Sequence, residues 1–311
     1  MANVYLTGAS GFIGSRVANL LLQKGYSVTA ALRSTSSLAR VPSGCSIVRV
    51  DFLDPESIEP HLEGTRAIYH IAGTTKAASQ EEFDRGNAAT TRALLKAREA
   101  VSPDALFILA SSQAAAGPGD RGPVSPYGAS KLLAETIARR TDGWVVVRPP
   151  AVFGPDDPAT EPIIRLANKG LFFSPWVNTG GFCLVYVDDL ARLFGMLPDC
   201  PDMVGQTLLP AYDHPISWKE FYAAIRRAAG RKVLHVRLPV ALVPGIGYLC
   251  EYAAALRGRC AAFDRYKARD FVCCDWKLDD GRTRNITGWK TETGLVEALE
   301  RTFSWFRSRN G

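Results

Sequence analysis

Two side chains that could transfer protons, Tyr127 and Lys131, lie four residues apart in the segment Pro126-Tyr-Gly-Ala-Ser-Lys131. Positions i and i+4 share one face of a helix, so the lysine ammonium can approach the phenol. A free phenol has a pKa near 10 and is a weak base at neutral pH, and a neighbouring cation lowers that pKa. The pair therefore indicates acid/base chemistry, although surface helices also produce this spacing by chance.

A hydroxyl group is a candidate third member of this site. Ser112 ends the predicted strand Leu106-Phe-Ile-Leu-Ala-Ser-Ser, fifteen residues before Tyr127. From the strand tip it could hydrogen-bond the substrate oxygen that the phenol protonates. Ordinary capping of the strand end is the alternative interpretation of Ser111 and Ser112.

A second motif, Gly8-x-x-Gly11-x-x-Gly14, follows the apolar run Val4-Tyr-Leu-Thr and precedes a helical pattern. The first two glycines permit a tight turn and a close approach to a pyrophosphate. The third lets the helix pack on the strand with its N–H groups directed at the anion. The context predicts a dinucleotide site, with an ordinary glycine-rich turn as the alternative.

The first half of the chain alternates β-rich runs with helical patterns. Strands are predicted at Asn3–Thr7, Ser27–Leu32, Ser46–Val50, Ala67–Ile71, Leu106–Ala110 and Trp144–Val147, with helices at about 12–24, 55–62, 81–100 and 126–140. This alternation predicts an α/β fold, a Rossmann doubly wound parallel sheet. Ligands of such sheets bind at the carboxyl ends of the strands. That rule selects Gly8–Gly14, Arg33, Asp51, Ala72-Gly73, Ser111-Ser112 and Pro149-Pro150.

The alternation weakens after residue 150, where prolines separate shorter elements, so we expect a smaller, mostly C-terminal substrate-binding domain. A further strand and helix pattern, Leu184 to Met196, is expected to return to the first domain. The predicted dinucleotide-binding domain is 1–155 plus about 183–197. The predicted substrate domain is about 156–182 and 198–311.

Composition narrows the function class. The 311 residues are 47% hydrophobic and 22% charged, with a net charge of +6. No basic block or zinc spacing supports nucleic-acid binding. Seven scattered cysteines indicate reduced thiols, and four unpaired histidines predict no metal site. With a strand predicted from residue 3, we expect a cytoplasmic protein.

The apolar segment Leu238–Leu256 is too interrupted for a membrane span. We expect it to be a helix packed within the fold, with a hydrophobic lid as the alternative.

Taken together, the chain resembles the extended short-chain dehydrogenase/reductase family over nearly its whole length. The matching residues are Thr7-Gly8-x-x-Gly11-x-x-Gly14, Asp51-Phe52, His70-Ile-Ala-Gly73, Asn87, Ser111-Ser112, Tyr127-x-x-x-Lys131, Arg148-Pro-Pro-x-Val152-x-Gly154-Pro155 and Val185-Tyr-Val-Asp188-Asp.

The resemblance implies a role for each matched position. Tyr127 is the acid/base, Ser112 polarises the substrate oxygen, and Lys131 orients the ribose of a nicotinamide cofactor, whose cationic form would also lower the phenol pKa. The residues implied or selected above for cofactor binding are Gly8, Ser10, Gly11, Phe12, Ile13, Gly14, Arg33, Asp51, Phe52, Ile71, Ala72, Gly73, Asn87, Ser111, Tyr127, Lys131, Pro150 and Val152.

Three departures favour one branch of that family. Family dehydratases carry Asp-Glu after the catalytic hydroxyl residue, whereas this chain has Gln113-Ala114. Sugar-nucleotide enzymes tend to carry Arg-Asp where it has Phe182-Cys183. The segment Leu171-Phe-Phe-Ser-Pro-Trp-Val is apolar where substrate should enter, with core packing as the alternative. The pattern is similar to the hydroxysteroid dehydrogenase and dihydroflavonol reductase branch.

The end of the second strand predicts NADP rather than NAD. NAD-specific members place a carboxylate there, which binds the ribose hydroxyls. Here Leu32 fills that position, and Arg33 follows with Ser34, Thr35 and Ser36 as further phosphate donors. A solvated loop arginine is the alternative interpretation.

The sequence therefore predicts an NADP-dependent oxidoreductase that transfers a hydride between nicotinamide and a secondary alcohol or ketone of an apolar or ring-bearing small molecule. The alternatives are a sugar-nucleotide 4-epimerase and a catalytically silent NADP-binding sensor. A homodimer is expected through the helices at about 81–100 and 126–140.

Overall fold

The structure is a computed structural model that describes residues 2–177, 181–256, 265–272, 276 and 281–310. Its strands are β1 (Asn3–Thr7), β2 (Ser27–Leu32), β3 (Ser46–Arg49), β4 (Thr65–His70), β5 (Leu106–Ala110), β6 (Trp144–Val147), β7 (Ala151–Phe153), β8 (Leu171–Pro175), β9 (Leu184–Tyr186), β10 (Thr207–Leu208) and β11 (Leu234–Leu238). Its α-helices are α1 (Phe12–Gln23), α2 (Pro55–Ile58), α3 (Gln80–Asp84), α4 (Thr90–Val101), α5 (Pro126–Ala138), α6 (Glu161–Asn168), α7 (Val187–Met196), α8 (Trp218–Ala229), α9 (Val243–Ala255), α10 (Arg265–Val272), α11 (Gly281–Thr287) and α12 (Leu295–Asn310).

A seven-stranded sheet, in the order β10-β6-β5-β4-β1-β2-β3, forms the centre of the molecule. Every neighbouring pair in it is parallel. Parallel strands require crossover connections, and the intervening helices provide them on both faces of the sheet. The predicted doubly wound α/β fold is confirmed.

Side chains alternate across the sheet, as the pleat requires. Leu6 lies in a core with Leu21 of α1 and Phe194 of α7. Its neighbour Tyr5 lies in a second core with Leu94 of α4. Helix α7 thus packs with α1 against one face of the central sheet. The division of the chain into two domains stays a prediction.

A third apolar core lies outside the central sheet. Phe172 of β8 packs there with Phe221 of α8 and Phe303 of α12. Two short parallel pairs, β7 with β9 and β8 with β11, border this core. The aromatic segment at 171–177 is therefore divided: Phe172 is buried in the core, whereas Trp176 is 57% exposed.

The expectation that Leu238–Leu256 packs within the fold is wrong for much of this segment. Helix α9 forms, but Leu249, Tyr252 and Leu256 are about 70% exposed. The helix is apolar around most of its circumference, so its sequence could not indicate which side faces the protein. In the part of the chain that the structure describes, no helix is long and apolar enough to cross a membrane.

Candidate active site

The turn between β1 and α1 is built around two glycines in close contact. A Cβ on Gly14 would lie 2.1 Å from the Gly8 carbonyl oxygen. Gly8 has a φ of +85°, and a Cβ there would lie 2.6 Å from the Ala72 backbone nitrogen. The ends of β1, α1 and β4 can meet this closely only without side chains at these positions. Gly11, Ser10, Phe12 and Ile13 complete the turn and the start of α1.

Tyr127 lies in the first turn of α5. Ser125 begins the helix, its hydroxyl accepting a hydrogen bond from the Gly128 amide at 3.2 Å, and Pro126 occupies the first helical position. The Tyr127 phenol hydrogen-bonds the Ser112 hydroxyl, which also accepts the Ala114 amide at 3.2 Å. The structure therefore brings together the two hydroxyl groups that the sequence paired.

The pKa of Tyr127 shifts upward. Burial raises it above 10.0, and the hydrogen bond with Ser112 lowers it part of the way back. This direction is opposite to the lowered pKa expected from the sequence. Lys131 Nζ donates to the Ala110 carbonyl at 2.8 Å, and its charge is not among the causes that shift the pKa of the phenol. A protonated phenol is the form that donates a proton to a developing alkoxide.

Lys131 is buried one helical turn beyond the tyrosine, at the end of β5. Burial lowers the pKa of its ammonium to about 8, and the negative charge of Glu135 opposes that fall. The group therefore titrates close to the physiological range. A Cβ on Gly73 would lie 3.0 Å from Lys131 Nζ, so the backbone after β4 passes directly over the lysine.

Asn87 lies in a π-helical turn, Arg85–Ala89, between α3 and α4. Its side chain accepts the Thr74 amide at 2.9 Å and donates to the Thr74 carbonyl at 3.0 Å and the Ser130 hydroxyl at 2.9 Å. It thereby joins the loop after β4 to helix α5. Single π-helical turns inside α-helices occur frequently at functional sites.

Sequence reasoning missed Glu135, the next residue on this face of α5. Its buried carboxylate accepts Ser111 Oγ at 2.5 Å, two hydrogen bonds from Arg148 at 2.7 Å each, and Arg139 at 3.1 Å. The i+4 spacing after Lys131 was a usable signal for Glu135, but two of the partners of Glu135, Ser111 and Arg148, are distant in sequence. The Ser111 hydroxyl is thus engaged by Glu135, and the Ser111 amide donates to the Val147 carbonyl at 2.7 Å.

A buried hydroxyl and imidazole connect β1 to β4 beneath this site. Thr7 Oγ1 lies 2.9 Å from His70 Nδ1 and accepts the Ala72 amide at 3.1 Å. Burial, and secondarily the charge of Lys131, lower the pKa of His70 to about 3. The imidazole is therefore neutral at physiological pH and positions the backbone of Ile71, Ala72 and Gly73.

The residues predicted to bind the adenosine end lie at the tips of β2 and β3. Arg33 is exposed just after β2, and Asp51 is exposed beyond β3, its carboxylate accepting the Leu53 amide at 2.9 Å. Phe52 is buried beside it. Arg49, which sequence reasoning missed, donates to the carbonyls of Arg33 and of Ser36 and holds this loop.

The other end of the site is apolar. Pro150 is buried after β6, and Val152 is half-buried in β7. Where sugar-nucleotide enzymes tend to carry Arg-Asp, the Phe182 ring lies 4.5 Å from that of Trp218, and Cys183 is buried. Within the described ranges, no cluster of His, Cys, Asp and Glu has a geometry suited to a metal ion.

The site fits a nicotinamide dinucleotide. Gly8 and Gly14 let α1 begin directly against the end of β1. The N-terminus of a helix in this position suits a pyrophosphate. A Cβ on Gly73 would lie 2.7 Å from Asn87 Oδ1 and would also contact Lys131. Because glycine has no Cβ, the space next to these two side chains stays open. Lys131 and Tyr127 could then contact the nicotinamide ribose.

Comparison with known proteins supports this interpretation. A sequence profile of the NAD dependent epimerase/dehydratase family matches residues 4–201, more than half of the chain. A ceramide reductase of Caulobacter vibrioides is 28% identical over 313 residues, which cover 98% of this chain and 94% of that protein. A 4-hydroxy-2-methyl-3-oxo-4-farnesyl-3,4-dihydroquinoline-1-oxide ketoreductase of Stigmatella aurantiaca is 28% identical over 57% of this chain and 58% of its own.

Solved structures share the fold. The UDP-glucose 4-epimerase of Thermotoga maritima superposes with a TM-score of 0.74 at 19% sequence identity, covering 99% of this chain and 100% of the epimerase. At that identity, the likeness concerns the fold only.

Proposed function

The chain belongs to the NAD dependent epimerase/dehydratase family, and from this premise we propose that it is an NADP-dependent ketoreductase. It transfers a hydride between nicotinamide and a secondary alcohol or ketone of an apolar or ring-bearing small molecule. The observation that carries the proposal is the hydrogen bond between Ser112 and a protonated Tyr127, with Lys131 one turn away.

Each side chain has one task in this proposal. Tyr127 donates its phenolic proton to the carbonyl oxygen during reduction, and Ser112 holds that oxygen by a second hydrogen bond. Lys131 binds the ribose and stabilises the phenolate that remains. Asn87 keeps the loop after β4 in place. The bound cofactor supplies the hydride.

Two features argue against other reactions of the family. The positions after Ser112 are Gln113 and Ala114, so no carboxylate stands there to eliminate water. Phe182 occupies the position where sugar-nucleotide enzymes tend to carry an arginine for the diphosphate, and its ring packs against Trp218. The names of the two similar reductases refer to a ceramide and to a farnesyl-bearing dihydroquinoline, which agrees with an apolar substrate.

A panel of ketones and secondary alcohols, followed at the nicotinamide absorbance, tests the reaction class. We expect NADPH consumption with long-chain or ring-bearing ketones. Turnover of UDP-glucose to its 4-epimer without net NADPH consumption would instead establish an epimerase. Nucleotide binding with no turnover on the whole panel would establish a sensor.

The pKa of Lys131 gives a pH dependence that can be measured. Below about pH 8 the Lys131 ammonium is charged and can bind the ribose and stabilise the phenolate. This contribution is lost as the pH rises through 8. We expect kcat/KM for ketone reduction to fall in that range. Because burial raises the pKa of Tyr127 above 10.0, the tyrosine cannot cause a fall near pH 8.

The variant Lys131→Arg is the control for this assignment. Arginine keeps its charge at every accessible pH, so the fall should move to higher pH even if the maximal rate is reduced. A profile that is flat through pH 8 in the wild type, or unchanged in the arginine variant, contradicts the assignment.

The preference for NADP rests on the loop after β2. Leu32 offers no carboxylate to the ribose, and Arg33 is exposed beside Ser34 and Ser36, whose carbonyls Arg49 holds. Two arginines and several hydroxyls at this edge suit a 2′-phosphate.

We expect Arg33→Ala to weaken NADPH binding about tenfold to a hundredfold and to leave NADH binding nearly unchanged. A charge-assisted hydrogen bond contributes about 1.5–3 kcal/mol, and 1.4 kcal/mol corresponds to a factor of ten. Fluorescence titration with both nucleotides measures this, with Arg140→Ala, an exposed arginine at the end of α5, as the control. Equal weakening of both nucleotides would exclude phosphate recognition by Arg33.

We also propose that the protein forms a homodimer through α4 and α5. Leu133 on α5 and Val101 at the end of α4 are about 40% exposed. Both helices otherwise face the sheet through Leu94 and Ala134.

A further inference from the structure

Helix α9 presents an apolar face to solvent. Positions 245, 249, 252 and 256 follow the spacing i, i+4, i+7, i+11, which places them on one side of a helix. Leu249, Tyr252 and Leu256 are 69%, 67% and 73% exposed, and Tyr248 and Leu242 border them at 56% and 57%. We call Leu242, Tyr248, Leu249, Tyr252 and Leu256 the α9 face.

The opposite side of the helix is fixed to the protein. Val243 and Gly247 are buried, and α10 packs along α9. The helix is therefore held in place on one side while its other side presents large apolar side chains to water. Contiguous exposed apolar surface of this kind marks an interaction site.

The stretch of sequence that contains the α9 face is net basic. Residues 231–272 contain eight Lys or Arg and three Asp or Glu, in a chain whose net charge is +6. The one charged residue between 238 and 256 is Glu251, and Arg265 lies beside its carboxylate at 3.8 Å. Arg265 is also close to the Tyr248 hydroxyl, so a cation lies at the border of the face.

We propose that the α9 face docks onto the surface of an anionic lipid bilayer, lying in the interface without crossing it. Helices that lie in this interface combine a leucine- and aromatic-rich side with flanking basic residues, and tyrosines favour the headgroup level. Attraction between the basic stretch and anionic lipids adds to the apolar contact. A second copy of this chain would instead bring two basic stretches together, which opposes self-association here.

The inference goes beyond the proposed reaction and does not depend on it. Docking would hold the enzyme where apolar substrates partition, next to the exposed Trp176, whose amide is bonded to the Leu238 carbonyl just before α9. Binding to vesicles is measured without substrate or cofactor, so its outcome is separate from that of the ketone panel.

Vesicle co-sedimentation of the full chain tests the docking. We expect binding to vesicles of phosphatidylcholine with phosphatidylglycerol, weaker binding to phosphatidylcholine alone, and weakening as salt is raised. The double variant Leu249→Ser/Tyr252→Ser should lower the partition coefficient at least about tenfold, because two apolar side chains no longer enter the interface. Both side chains are exposed, so the melting temperature should stay near that of wild type.

The double variant Leu38→Ser/Val204→Ser is the matched control, because both side chains are exposed and lie outside the α9 face. It should bind like wild type. Equal binding by the two double variants, binding that is indifferent to anionic lipid, or no binding by wild type overturns the proposal. Self-association that the α9 variants abolish, without vesicle binding, would assign the face to a second copy instead.

Discussion

The variant Tyr127→Phe is expected to reduce kcat for ketone reduction by at least about 100-fold, the lower range of a general acid contribution. Phenylalanine keeps the ring and therefore its packing against Phe83, whose centroid lies 6.1 Å from that of Tyr127. It removes the proton donor and the hydrogen bond to Ser112. The effect should therefore lie in turnover.

Cofactor affinity separates this role from a structural one. NADPH binding by the variant should stay near the wild-type value, because the glycine turn and Lys131 are untouched. Tyr248→Phe, a conservative change on the exposed side of α9, is the control and should leave turnover unchanged. If Tyr127→Phe retains wild-type turnover, the assignment of the proton donor is wrong.

The second large effect concerns the buried carboxylate of Glu135. Glu135→Gln should lower the free energy of unfolding by about 3 kcal/mol, because breaking a buried ion pair leaves an uncompensated charge. That charge is Arg148, whose side chain is only 16% exposed and whose two hydrogen bonds to Glu135 measure 2.7 Å. Urea unfolding with a linear extrapolation measures the change.

A surface pair of the same residue types supplies the comparison. Glu161 is half-buried and Arg165 is exposed, four residues apart on the surface of α6, so Glu161→Gln should cost less than about 1 kcal/mol. Replacing both members of the buried pair, as Glu135→Gln/Arg148→Met, should recover part of the loss, because no unpaired charge remains. A Glu135→Gln effect as small as that of Glu161→Gln would show that water compensates Arg148.

The sequence was sufficient to predict six of the seven strands of the central sheet, and the three catalytic candidates that it named stay a prediction. Strands such as Trp144–Val147 are buried on both faces, so their β-branched runs are distinctive without any structural information. Tyr127 and Lys131 share one helix, which fixes their relation locally. Ser112 could be placed because it follows β5, and α5 connects that strand to its neighbour β6.

Other features depend on contacts between distant segments. The two-residue strand β10 is defined by its pairing with β6 rather than by its own pattern. From the sequence, Glu135 is only a charged residue of a helix. Its role depends on contacts with Arg148 and Ser111, which are 13 and 24 residues away. The exposure of α9 depends on which of its apolar sides α10 covers, and apolar composition does not determine that choice.

The π-helical turn at Arg85–Ala89 acts as a phase shift in one long helical stretch. Successive residues of an α-helix are rotated by about 100°, so a regular helix from Gln80 to Val101 would fix how its two ends face. The wider turn uncouples them. Phe83 can thus face Tyr127 while Leu94 faces the sheet, and Asn87 occupies the junction. Removing one residue here would restore the regular α-helical pitch. The contact of Phe83 with Tyr127 and the packing of Leu94 against the sheet would then require different rotations of the same helix.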